Sequence, residues 1–124
     1  MNIAKLKTTA LSILIGLSFP GCGQTTVRDK KVNLKEIIQK ENTIIVDVRT
    51  AEEFSAGHIE QSINIPLSSL PYSVEKLSTF DNIILVCQSG NRSGRAKMLL
   101  EEKGLKNVYN GGGWWALNER LKNE

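Results

Sequence analysis

The stretch Asn82-Ile-Ile-Leu-Val-Cys-Gln-Ser-Gly-Asn-Arg-Ser93 changes character at its middle. Residues 82–86 predict a strand, opened by Asn82 and continuing as the apolar run 83–86, the pattern of a strand buried on both faces. Cys87 comes next, then a polar turn of Gln88, Ser89, Gly90, Asn91 and Arg92. From Ser93 to Lys103 the spacing of Ala96, Leu99, Leu100 and Lys103 predicts a helix, and Gly104 is its stop. A buried strand running through a tight loop into a helix is the repeating unit of a parallel sheet.

The flanking sequence extends that unit. Asn33-Leu-Lys-Glu36 has the spacing of a helix N-cap with an acidic partner, and a short helix follows through Ile37 and Ile38. Thr43 to Val48 is rich in β-branched residues and predicts a buried strand. Thr50-Ala-Glu-Glu53 is a second capping box, opening a short helix through Phe54. Ile63 to Ile65 predicts a short strand before Pro66, and Ser69 to Leu77 a helix that carries Pro71 in its first turn. Lys106 to Tyr109 predicts the last strand, which Gly111-Gly-Gly113 is expected to break before a closing helix from Trp114 to Lys122. Strands alternating with short helices imply an α/β fold, with a small, mainly parallel sheet flanked by helices on both faces.

The chain has 124 residues, 40% hydrophobic and 23% charged, which excludes wholesale disorder, a collagen-like chain and a multi-span membrane protein. Residues 1–21 have the three-part pattern of a secretory signal. Lys5 and Lys7 stand near the start with no acidic residue, and Ala10 to Phe19 is an apolar run too short to span a bilayer. Ser18-Phe-Pro-Gly-Cys22 resembles the lipobox of bacterial lipoproteins, in which the Cys becomes the lipidated first residue of the mature chain. That resemblance implies lipidation at Cys22, an exported protein of the periplasm or cell envelope, and contact with the membrane through the lipid only. Residues 22–31 read as a polar tether, and 32–124 as the folded domain.

Cleavage before Cys22 removes 21 residues and leaves 103, with 14 basic side chains against 13 acidic ones. The mature charge of +1 removes the main support for nucleic-acid binding. Lipidation of Cys22 leaves Cys87 as the one free thiol, and an unpaired thiol in an oxidising compartment is either reactive or an intermolecular partner. The competing reading is a Cys22–Cys87 disulfide in an unlipidated protein. With one His and two Cys, the chain cannot build the usual zinc cluster, and no metal is expected.

In open α/β sheets, sites lie beyond the carboxyl ends of the strands, where Cys87 is expected. A helix N-terminus after a short turn aims backbone N–H groups at one spot, and its positive end favours a thiolate and any anion bound against it. Gly90 permits an unusual backbone angle in the loop, and Arg92 supplies a fixed charge for a bidentate anion grip.

These residues resemble a family. Ile44-Ile-Val-Asp-Val-Arg49, Glu53-Phe-Ser-Ala-Gly-His-Ile59 and Ser62-Ile-Asn-Ile-Pro66 are similar to the first half of a rhodanese domain. Ile84 to Ser93 is similar to its active-site loop, and Asn107-Val-Tyr-Asn-Gly-Gly-Gly-Trp114 to its close. The resemblance spans Val32 to Leu121 and implies a sulfurtransferase that works through a Cys87 persulfide without a cofactor. The donor would be a small molecule such as thiosulfate and the acceptor cyanide or a thiol. The amides of Gln88 to Ser93 would hold the anionic persulfide and Arg92 the donor. A monomer is expected.

Phosphatases and arsenate reductases of a related fold have five residues between Cys and Arg. Here there are four, a cradle sized for one sulfur atom, so that activity is the alternative. A non-catalytic sulfur-carrying or docking module is a second one. Asp47 and Arg49 are expected to brace the loop through an ion pair, His58 to be structural, and Glu52, Glu53, Glu101 and Glu102 to lie on solvated helix faces. One of Trp114 and Trp115 is expected to pack in the core.

Overall fold

The computed structural model describes Gly16 and residues 31–123. The signal segment apart from Gly16, Cys22 and the tether through residue 30 lie outside the described residues. Four strands, β1 (Thr43–Asp47), β2 (Ser62–Asn64), β3 (Asn82–Cys87) and β4 (Val108–Gly113), form one sheet in the order β2-β1-β3-β4. Every pairing is parallel, with Ile45 opposite Ile84 and Cys87 opposite Gly113. The α-helices are α1 (Leu34–Ile38), α2 (Ala51–Ser55), α3 (Val74–Leu77), α4 (Asn91–Glu102) and α5 (Trp114–Lys122).

Alternation along the central strands sorts side chains into two cores. Ile44, Val46, Ile83, Leu85 and Cys87 pack on the side of Leu70, Leu77, Ala96 and Leu100, which come from α3, α4 and the segment before α3. Ile45, Ile84 and Val86 pack on the other side with Ile37 of α1, Ile59, and Leu117 of α5. Ile84, Leu85 and Val86 are wholly buried, each worth about 1.5–3 kcal/mol of burial, so β3 is the spine of the domain. The same alternation commits the Cys87 side chain to the α4 face.

Three expectations change. The helix expected at Ser69–Leu77 is a 3₁₀ segment, Leu67–Ser73, followed by the single turn α3. Pro71 lies inside it and has no N–H to give to an α-helical ladder. The helix expected from Ser93 begins at Asn91, because Gly90 takes a left-handed conformation (φ +96°) and starts the helix earlier. The glycines expected to break the last strand instead form its second half. A Cβ at Gly111 would sit 2.9 Å from both Ile84 and Val86, and one at Gly113 would sit 2.8 Å from the Gln88 carbonyl. Gly111 is the extra residue of a bulge, since Leu85 pairs with Asn110 and Val86 with Gly112. The glycines let an edge strand press closely against β3 and against the loop that follows it.

Candidate active site

Cys87 ends β3, and its sulfur sits in the bend that leads into α4. The thiol is free and only 1% exposed. The Gly90 amide donates to Sγ at 3.0 Å, and Ser93 Oγ lies 3.4 Å away. The left-handed Gly90 turns its N–H inward, and a Cβ there would stand 3.3 Å from Gly112 Cα. Ser93 is fully buried in the first turn of α4, while Gln88, Ser89 and Asn91 are exposed along the rim.

Burial pushes the Cys87 pKa up, but the combined hydrogen bonding outweighs it. The Ser93 hydroxyl and the amides of Ser93, Ser89 and Gly90 hold the thiol below its ordinary value of 9.0. The N-terminus of the twelve-residue α4 adds its positive end at the same place. The site can therefore form a thiolate and hold a second anionic atom beside it.

The Ser93 hydroxyl has one proton, and two groups compete for it. It donates to Asn110 Oδ1 at 2.7 Å while lying near Sγ. Asn110 Oδ1 also accepts from the Gly112 amide at 2.9 Å, and its Nδ2 donates to the Gly90 carbonyl at 3.0 Å. Asn110 thus ties together the left-handed turn, the buried serine and the glycine strand. A lone Asn before three glycines carries no local signal of such a role.

Arg92 does not stand free. Nη1 and Nη2 donate to Glu53 Oε1 and Oε2, both at 2.8 Å, in a two-pronged pair with each partner about one-third exposed. Glu53 thus keeps its place on the partly solvated face of α2 but has a partner there that its local spacing does not indicate. The Thr50 side chain does accept from the Glu53 amide at 3.2 Å and its hydroxyl donates to Oε1 at 3.3 Å, but the shorter contacts of the carboxylate go to Arg92, 39 residues away. Hydrogen bonding to Arg92 holds the Glu53 carboxyl at a pKa of about 2, and the same bond raises Arg92 above its ordinary value.

Asp47 and Arg49 do pair, almost wholly buried, with Nη2 2.7 Å from Oδ2 and Nε 3.0 Å from both carboxylate oxygens. Arg49 also donates to the carbonyls of Gly57 at 2.7 Å and Glu53 at 3.3 Å, and lies 4.6 Å over the Trp114 ring. The pair therefore braces α2 and its exit. Its remaining side-chain hydrogen bonds go to that segment, and none among the described residues goes to residues 88–93, although the charge of Asp47 is felt by Arg92. His58 stacks on Phe54 with ring centroids 3.7 Å apart, and its Nδ1–H donates to the Phe54 carbonyl at 2.7 Å. Trp114 packs between Arg49 and Gly57, whereas Trp115 is 59% exposed. Among the described residues no group of His, Cys, Asp or Glu side chains is placed to hold a metal, and no helix is long and apolar enough to cross a membrane.

A model of the rhodanese-like domain matches residues 31–118. Thiosulfate sulfurtransferase PspE of Escherichia coli is 36% identical over 73 residues, covering 55% of this chain and 67% of that protein. The uncharacterized protein YqhL of Bacillus subtilis is 41% identical over 66 residues, 53% of this chain and 52% of YqhL, so the chain spans about half of that relative's length. A solved structure of a rhodanese with anions from E. coli superposes with a TM-score of 0.56 at 32% identity, covering 59% of this chain and 88% of that one. The parallel sheet, the cysteine at the end of its central strand and these likenesses agree: the chain belongs to the rhodanese-like domain family.

Proposed function

We propose that this protein moves sulfane sulfur from a small anionic donor such as thiosulfate to cyanide or a thiol, through a persulfide on Cys87. The observation that carries the reading is the bed around Sγ, with an amide at 3.0 Å, a buried hydroxyl at 3.4 Å and the N-terminus of α4 behind them. The Cys87 thiolate attacks the outer sulfur of thiosulfate. A bond forms between the two sulfurs, the S–S bond of the donor breaks, and its electron pair leaves with sulfite. The loop amides hold the negative charge now carried by the outer persulfide sulfur. The acceptor then attacks that sulfur, and the pair of the persulfide bond returns to Cys87 as thiolate. No proton transfer is needed in the first half.

The export signal and a lipid on Cys22 belong to the same reading, which places the domain on a membrane surface at the end of a short tether. The chain acts there as a monomer.

The test uses the full chain. Turnover of thiosulfate with cyanide is expected. So is a mass gain of one sulfur atom after thiosulfate treatment, lost in Cys87→Ser. Hydrolysis of an aryl phosphate without either signal would replace this reading with the phosphatase one. Retained sulfur without turnover would leave a sulfur carrier.

A further inference from the structure

Arg92 is the residue to which the persulfide reading gives the donor's anionic group, yet both prongs of its guanidinium are taken by Glu53. A sulfonate group would need the same two N–H directions. The geometry points to Glu53 as a specificity-determining residue: its carboxylate competes with the donor for Arg92 and biases the site against doubly charged sulfur donors in favour of singly charged ones.

Several observations support this. The pair faces solvent, with side-chain exposures of 32% and 35%, so an arriving anion can reach it. Glu53 is held from behind, since Thr50 caps α2 by accepting from the Glu53 amide at 3.2 Å, and its hydroxyl lies 3.3 Å from Oε1. The carboxyl is fully ionised at neutral pH. The other nearby pair, Asp47 with Arg49, cancels itself and is closed to solvent. Arg92 feels the charges of both Glu53 and Cys87, so the group consists of Arg92 positive, Glu53 negative and the Cys87 thiolate negative. Their sum is negative and is only partly offset by the α4 N-terminus. A dianion enters that field at a greater cost than a monoanion.

The proposal rests on the Cys87 persulfide reading, and a matched donor pair separates the two. Benzenethiosulfonate presents the same outer sulfur as thiosulfate, with a phenyl group in place of one charged oxygen. The thiolate takes the outer sulfur, and the electron pair leaves with benzenesulfinate instead of sulfite. kcat/KM is measured for both donors with cyanide as acceptor, on the full chain and on Glu53→Gln and Glu53→Asp. Removing the charge that faces Arg92 at 2.8 Å should raise the thiosulfate-to-benzenethiosulfonate ratio by about tenfold in Glu53→Gln. Glu53→Asp keeps the charge and should keep the ratio near that of the unaltered protein, even if both rates fall. Glu53→Ala is the second charge-removing variant and should move the ratio as Glu53→Gln does. If both donors weaken equally in Glu53→Gln and Glu53→Ala, Glu53 only holds Arg92 in place and the proposal is overturned. If the unaltered protein transfers sulfur from neither donor and gains no sulfur on Cys87, the persulfide reading falls, and this proposal with it.

Discussion

Two arginine–carboxylate pairs stand at the carboxyl end of the sheet, with nearly equal contact distances and opposite settings. Asp47–Arg49 is sealed, 0% and 3% exposed, and Arg49 spends its remaining donors on two carbonyls and its face on Trp114. Glu53–Arg92 is about one-third exposed, and each partner's main contact is the other. A charge pair in water's reach can exchange partners, whereas one surrounded by protein cannot be broken without stranding a charge. The first pair is closed off within the fold, the second is the one the proposed reading assigns to the donor, and the distances alone would not tell them apart.

The largest effect that would test this contrast is on stability. Asp47→Asn leaves Arg49 buried without its counter-charge and should cost about 3–5 kcal/mol, read as a lower midpoint in urea unfolding. A loss below 1 kcal/mol would put the two pairs in the same class. Arg92→Ala should do the reverse. Stability should change by less than about 1 kcal/mol, since the pair is exposed. kcat/KM for thiosulfate should fall by about ten- to a hundredfold, through loss of a charge-assisted grip. Intact activity in Arg92→Ala would remove Arg92 from the donor site.

The smallest effect concerns acid. The folded Glu53 pKa, about 2, lies below its ordinary 4.5, so the pair's contribution is fully present above about pH 4.5 and is lost as pH falls through 2. Solvent screening keeps that contribution below about 1 kcal/mol. The measurement is the pH dependence of urea unfolding between pH 5 and 2, compared with Glu53→Gln, in which this component should be missing. Identical curves for the two proteins would mean that Glu53 titrates like a free carboxyl and that the pair does not persist in solution.

The parts of the fold legible in the sequence were those whose signal is local. The β-branched run at Thr43, the apolar run at Asn82 and the helical spacing after Ser93 each describe a segment that buries its own residues. The glycines at 111–113 were misread because what they serve is the approach of another strand, a tertiary demand with the same appearance as a chain breaker. The start of α4 shifted because Gly90, left-handed at the N-cap, lets the helix open at Asn91, two residues before Ser93. Within the site, Cys87, Gly90, Arg92 and Ser93 stand in one run, so their grouping was visible. Glu53 was hidden by its own capping spacing after Thr50, which gave it a complete local explanation and concealed a partner in another helix.

The contact between Gly90 and the glycines of β4 also bears on what this scaffold can become. The turn beside the sulfur rests on Gly112, and Gln88 rests against Gly113, with no room for a methyl group at Gly113. Lengthening the loop by one residue, as a larger oxyanion would require, would have to lift the turn off this bed or re-register the edge strand beneath it. A longer loop thus bears on the edge strand about twenty residues further along the chain as well as on the turn itself. On the proposed reading, substitutions that keep the loop length keep a cradle sized for one sulfur atom.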